Sequence, residues 1–136
     1  MTGESNLPTL LRTMQPALHV NAFGFFSLHE KVAIPLMAEA WGFFREPEGF
    51  TLILSSEIAA QHALELEQTW ALITLNVHSS LLAVGFLAAI SSALAASGIS
   101  LNAISAYYHD HLFVPWQQRF QALSVLNDLA KNQPGA

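Results

Sequence analysis

From Gln68 to His109 no side chain carries a formal charge at neutral pH. About a quarter of the residues in an average soluble domain are charged, so a stretch this long without Asp, Glu, Lys or Arg belongs either in a membrane or inside a packed domain. Its most aliphatic part, Leu81 to Ala96, is shorter than the roughly 20 residues that span hydrocarbon. It also contains Ser91-Ser92 and runs into Ser97-Gly98. That pattern predicts a buried core helix from Leu81 to Ser97, opened by Ser79-Ser80 as a cap and closed by Gly98 in a left-handed conformation. No membrane span is expected.

The rest of the composition narrows the class further. Of 136 residues, 52% are hydrophobic and 11% charged. A surface this poor in charge predicts that a partner covers part of it, so a homo-oligomer, a dimer or larger, is expected. The net charge is −5, and the five basic residues, Arg12, Lys31, Arg45, Arg119 and Lys131, are scattered. Phosphate backbones require concentrated positive charge, which argues against nucleic acid as a partner. Cysteine is absent, excluding disulfides, thiolate catalysis and zinc–thiolate sites. The start, MTGESNLPTLLRTMQP, has no basic segment followed by an unbroken apolar run, so it does not read as a signal peptide. A cytoplasmic location is the expectation.

Turn and cap signals divide the chain into short elements. Asn6 is a candidate N-cap for a helix from Leu7 to Met14, stopped at Gln15-Pro16. Leu18 to Leu28 is aromatic and strand-like. Ala40 to Arg45 and Phe50 to Leu54 flank Glu46-Pro47-Glu48-Gly49, a hairpin connection. Ser55-Ser56-Glu57 opens a short helix reaching Leu64, and Thr69 to Val77 is a strand without a breaker. Strands over Leu101 to Tyr107 and Leu112 to Val114 surround His109-Asp110-His111, and an amphipathic helix covers Gln117 to Ala130. "TLILSSEIA" and "TLNVHSSLLA" echo one another as strand, serine pair, helix. This order predicts an α+β fold, an antiparallel-rich sheet with helices on one face.

One boundary follows from that order. The first half is expected at 1–68 and the second at 69–136, meeting near Gln68. No strand follows the last helix, so the second half lacks a final strand, and Leu18 to Leu28 of the first half is the expected donor. A right-handed crossover makes the strands ending at Val77 and Tyr107 parallel, with the strand from His111 returning between them. His111 is then expected beside His78, and His78, His109, Asp110 and His111 would gather at one sheet edge near Ser79-Ser80.

The segment Asn76 to Pro115 resembles small bacterial ACT-domain proteins of unassigned function, which carry two ACT-type modules in tandem and are related to the ACT repeats of aspartate kinases and of cellular arginine sensors. The matching features are Val77-His78-Ser79-Ser80 followed by Ala83-Val84-Gly85, Gly98-Ile99-Ser100 with Asn102, and Tyr108-His109-Asp110-His111 before Phe113-Val114-Pro115. The first half matches through Leu10-Leu11 with Pro16, and Arg45-Glu46 with Glu48-Gly49. Leu82 stands where an acidic residue is expected and Leu87 where a small polar one is expected. The resemblance implies ferredoxin-like βαββαβ units that bind a small molecule, usually an amino acid, at the strand-to-helix turn and often between subunits. Carried onto this chain, the ligand-binding set is His78, Ser79, Ser80, Leu81, Val84, Gly85, Ile99, Asn102, His109, Asp110 and His111.

Elementary chemistry supports such a site and leaves rivals open. A helix N-terminus offers unpaired N–H groups and partial positive charge for a carboxylate, and a glycine lets a ligand approach the backbone. Ser79-Ser80 would equally serve as a cap alone, Gly85 as a packing residue, and Asn102 as a polar residue at a sheet edge. Three imidazoles and Asp110 would suit zinc, copper or nickel. An acid–base centre would have only Ser79 or Ser80 as nucleophile and no visible third member. Three functions are therefore carried forward: a regulatory small-molecule sensor without cofactor, metal or catalytic residues; a small metal-binding protein or enzyme built on His78, His109, Asp110 and His111; and a structural oligomerisation module.

Overall fold

The computed structural model describes residues 2–134. The elements are α1 (Leu7–Thr13), β1 (Pro16–Leu28), α2 (Glu30–Leu36), β2 (Gly42–Glu46), β3 (Gly49–Ser55), α3 (Ser56–Gln61), β4 (Trp70–Leu75), α4 (Phe86–Ala96), β5 (Asn102–Ser105), β6 (Asp110–Pro115) and α5 (Arg119–Lys131), the last preceded by a 3-10 turn at Trp116–Gln118. The hydrogen-bonded strand order is β2-β3-β1-β4-β6-β5. Mixed helices and an antiparallel-rich sheet, arranged as ferredoxin-like halves, give the α+β class expected from the order of elements.

Two compact units divide the chain, one made of the residues up to His19 with those from Ala71 onward, the other of Val20–Trp70. β1 contributes to both, its first residues to the former and its remainder to the latter. In the Val20–Trp70 unit, β3 pairs antiparallel with both β1 and β2, from Phe23 opposite Ser55 to Leu28 opposite Phe50. Ala33 and Leu36 of α2 and Ala59 of α3 close over Phe50, Leu52 and Leu54, alternate residues of one strand face. Helix α2 has no counterpart among the elements expected from sequence. Its seven residues include Val32, Ile34 and Pro35, which oppose helix propensity, and its N-cap is an imidazole, His29 Nδ1 accepting from the Lys31 N–H at 3.1 Å.

In the other unit, Ala71, Ile73 and Leu75 of β4 with Leu112 and Val114 of β6 share a face covered by Leu10, Leu11 and Met14 near α1, Ile90 and Leu94 of α4, and Ala122 and Leu126 of α5. The uncharged stretch therefore supplies a core strand, β4, and a core helix, α4, with an exposed turn between them and β5 after them. Among the described residues no helix is long and apolar enough to cross a membrane. β6 lies between β4 and β5, and β1 lies on the other side of β4, where a ferredoxin-like unit has its final strand.

Candidate functional site

After Leu75 the chain does not enter a helix. Ser80 O accepts from the Ala83 N–H at 3.0 Å and Ser80 Oγ from the Leu82 N–H at 3.1 Å, closing a turn. Gly85 then takes φ +92°, a left-handed conformation that favours glycine, and α4 begins at Phe86 with no side-chain cap. The expected helix start at Leu81, and the capping role of Ser79-Ser80, are thus corrected. The serines have other partners, and the positive φ at Gly85 keeps the turn out of the helix.

The turn is held from outside by the amino-terminal segment. The Glu4 N–H donates to His78 O and the Ser80 N–H to Glu4 O, both at 2.8 Å, a parallel bridge between Glu4 and Ser79. A Cβ on Gly3 would stand 2.6–2.7 Å from backbone atoms of His78, Ser79 and Ser80, so only glycine permits this approach.

Inside the turn, Ser79 Oγ donates to Asp110 Oδ2 at 2.9 Å and Ser105 Oγ donates to Asp110 Oδ1 at 2.6 Å. Asp110 is 6% exposed. It stands directly opposite Ser105 in the β5–β6 ladder, so the two side chains share a sheet face, the one that Leu112 and Val114 also occupy. The three polar groups border a cleft of about 230 Å³, whose walls also include Ser80, Leu81, Ala83 and Gly85 of the turn and Phe86, Leu87 and Ala88 at the start of α4.

The period of two along β6 sends the neighbouring imidazole to the opposite face. There Thr74 Oγ1 lies 2.9 Å from His111 Nδ1 and 2.9 Å from His19 Nε2. Burial lowers the pKa of both rings. His109 and His19 lower that of His111 further, while Asp110 opposes them. His111 is thus beside Thr74, and Tyr108 packs against His78 with ring centroids 4.9 Å apart. The His-Asp-His triplet is split by strand alternation, and among the described residues no three His, Asp or Glu side chains converge where a metal ion could be held.

The residues singled out from sequence are therefore distributed. Ser79, Ser80, Leu81, Gly85 and Asp110 line the cleft. His78 lines a second hollow, of about 150 Å³, on the side of the turn that faces Thr2 and Gly3. Val84 is 84% exposed, Ile99 is in the core, Asn102 is exposed on β5 opposite Phe113, and His109 ends the β5–β6 turn with its ring 6.3 Å from that of His111. Sequence reasoning missed Ser105, Phe86, Leu87 and Ala88. A four-residue hairpin loop, Ala106–His109, would have revealed Ser105, since it places that residue opposite Asp110. Gly3 and Glu4 carried no local signal, because their partner lies far along the chain.

Two ferredoxin-like halves in tandem, with a cleft at a strand-to-helix turn, define a class of small modular domains. Family models for the ACT domain match residues 2–71 and 65–128, so the chain belongs to the ACT-domain family. A Vibrio cholerae protein of unknown function, described as a possible transport protein, is 46% identical, with 86% of this chain and 89% of that one covered and a TM-score of 0.78. The regulatory subunit of aspartate kinase from Thermus thermophilus, in its ligand-free form, shares the fold at 12% identity, with 86% and 97% covered and a TM-score of 0.66. An Agrobacterium tumefaciens protein does so at 16% identity, with 85% and 87% covered and a TM-score of 0.66. Comparison with curated proteins gives no match.

Proposed function

We propose that this protein is a regulatory ligand-binding module that takes a small molecule of amino-acid type in the cleft between the Ser79–Gly85 turn and the start of α4, and that it acts in the cytoplasm through a homo-oligomer or a partner protein. The observation that carries this reading is the open amino end of α4. With Gly85 as N-cap, no side chain occupies the first-turn N–H groups, and Phe86, Leu87 and Ala88 border the cleft. Unpaired N–H groups and the positive end of the helix favour a carboxylate. At about 230 Å³ the cleft is smaller than the roughly 300–1,000 Å³ of drug-sized sites, which suits a compact metabolite.

Coupling to a partner has a physical basis in the same turn. Leu82 and Val84 are 87% and 84% exposed beside Leu81, which touches the cleft. A ligand that orders the turn also orders an apolar surface suited to a second subunit. The aspartate kinase regulatory subunits, built on the same fold, are a precedent for regulation by a chain of this kind.

A thermal-shift screen of the proteinogenic amino acids, paired with sedimentation of the protein with and without each, tests the reading. A ligand that binds only the folded state raises the melting temperature by mass action. At least one amino acid is expected to do so and to change the association state, and Gly85→Val, which forces a branched side chain into the left-handed region at the rim of the cleft, is expected to remove the shift. Absence of any shift at millimolar concentration overturns the proposal, and a stable oligomer indifferent to every amino acid favours a structural module instead.

A further inference from the structure

We infer that the wall formed by Ser79, Ser105 and Asp110 makes a cationic nitrogen, an ammonium or a guanidinium, the discriminating part of whatever binds in this cleft. The inference rests on reading the cleft as a ligand site, and it adds which end of the ligand decides selectivity. Both serine hydroxyls donate their protons to Asp110. A hydroxyl has one proton, so each serine oxygen has only lone pairs left for anything else. A carboxylate has about four acceptor positions, and the two hydroxyls fill one on each oxygen. The wall is therefore built of acceptors and can only receive donated hydrogens.

Charge reinforces the polarity. Asp110 is 6% exposed, and among the described residues no Lys, Arg or His nitrogen lies within ion-pairing distance of it. The two hydroxyl donors leave acceptor positions on both carboxylate oxygens, which a charged donor would fill with stronger bonds than a neutral one. The residues from Gln68 to His109 bring no formal charge to the neighbourhood, and the chain as a whole carries −5. Of the two imidazoles adjacent in sequence, His111 faces the other side of the sheet, where burial disfavours its cationic form, and the His109 ring stands 6.3 Å from it. A cation entering the cleft brings a countercharge and donates hydrogens to acceptors already in place.

This polarity inverts the role that sequence assigned to Ser79. Read as part of a helix cap, Ser79 would help to hold an anion; with its proton committed to Asp110, it repels one. Ligands that keep a cationic nitrogen should bind, those whose amine is replaced by a keto group should not, and an amine without any carboxylate should retain measurable binding.

The test is a two-dimensional amide NMR titration of the full chain with n-butylamine, butyrate and norvaline, at neutral pH and constant ionic strength. Butylammonium and norvaline are expected to shift the Ser79, Ser105 and Asp110 signals saturably, and butyrate to leave them in place. Asp110→Asn is expected to weaken butylammonium binding by roughly tenfold or more, the effect of losing a charge-assisted hydrogen bond. Butyrate binding as strong as that of butylammonium, or no response to either amine, overturns the inference. The amine–acid comparison uses only the wild-type protein, so it stands whether or not the variant folds. Amino-acid binding untouched by Asp110→Asn would sink this inference and leave the sensor reading standing. Butylammonium binding without a response to any amino acid would do the reverse.

Discussion

A pair of serines stands at or after the end of a core strand and ahead of or at the start of each of helices α3 and α4, yet their amino ends are built differently. Before α3, Ser55 accepts the Ile58 N–H through its Oγ at 3.2 Å, so the helix is closed by its own cap and joins β3 without a gap. Before α4, Ser79 turns inward to Asp110, Ser80 closes a turn, and the helix starts at Phe86 uncapped. The contrast teaches that a serine after a strand is a hydroxyl looking for a partner. Where a buried carboxylate is within reach it becomes a wall of a cleft, and the helix end is left open for something else.

The largest effect that would test this contrast is loss of the carboxylate. Asp110→Ala strands the Ser79 and Ser105 hydroxyls and should cost about 1–3 kcal/mol, read from the urea midpoint. An unchanged midpoint would mean that the Ser79–Asp110 bond does not hold the turn. Next comes a paired measurement on the serines. Ser55→Ala removes a cap and should cost about 1 kcal/mol, whereas Ser80→Ala, on an exposed turn, should cost less than about 0.5 kcal/mol. Equal losses would return Ser80 to a capping role.

The smallest effect concerns the far side of β6. His19 and His111 have folded-state pKa values below the ordinary imidazole value, so the fold prefers them neutral. Their contribution is complete above about pH 6.5, the unfolded value, and is lost as pH falls toward the lowered folded values. A melting temperature that declines with acid below that point, with a shallower decline in His111→Gln, is the expected result. A decline of the same slope in the variant would place the acid sensitivity elsewhere.

Much of the architecture was legible because it depends on patterns of neighbours. The unbroken apolar run of β4, the Pro47-Glu48 hairpin and the apolar spacing of α5 are local, and the resemblance to tandem ACT modules covered the rest of the class. Helix α2 was not legible, since Val32, Ile34 and Pro35 oppose the helix that Ala33 and Leu36 stabilise by packing on Phe50, Leu52 and Leu54. Of the residues that the strand order gathers at one sheet edge, Ser79, Ser80 and Asp110 border the cleft, while His111 lies on the opposite face beside Thr74. A strand separates neighbours by placing them on opposite faces.

The sequence by itself determined the class: an uncharged core strand and helix, no cysteine chemistry, no concentrated basic surface, and a serine pair at a strand-to-helix turn. Only the tertiary structure decided where α4 begins, that Glu4 bridges to the turn, and that Ser79 and Ser105 give their protons to Asp110. The reason is physical. Composition and periodicity are properties of residues close in the chain, whereas a hydroxyl's role is fixed by whichever acceptor folding brings within 3 Å, here one that is 31 residues away.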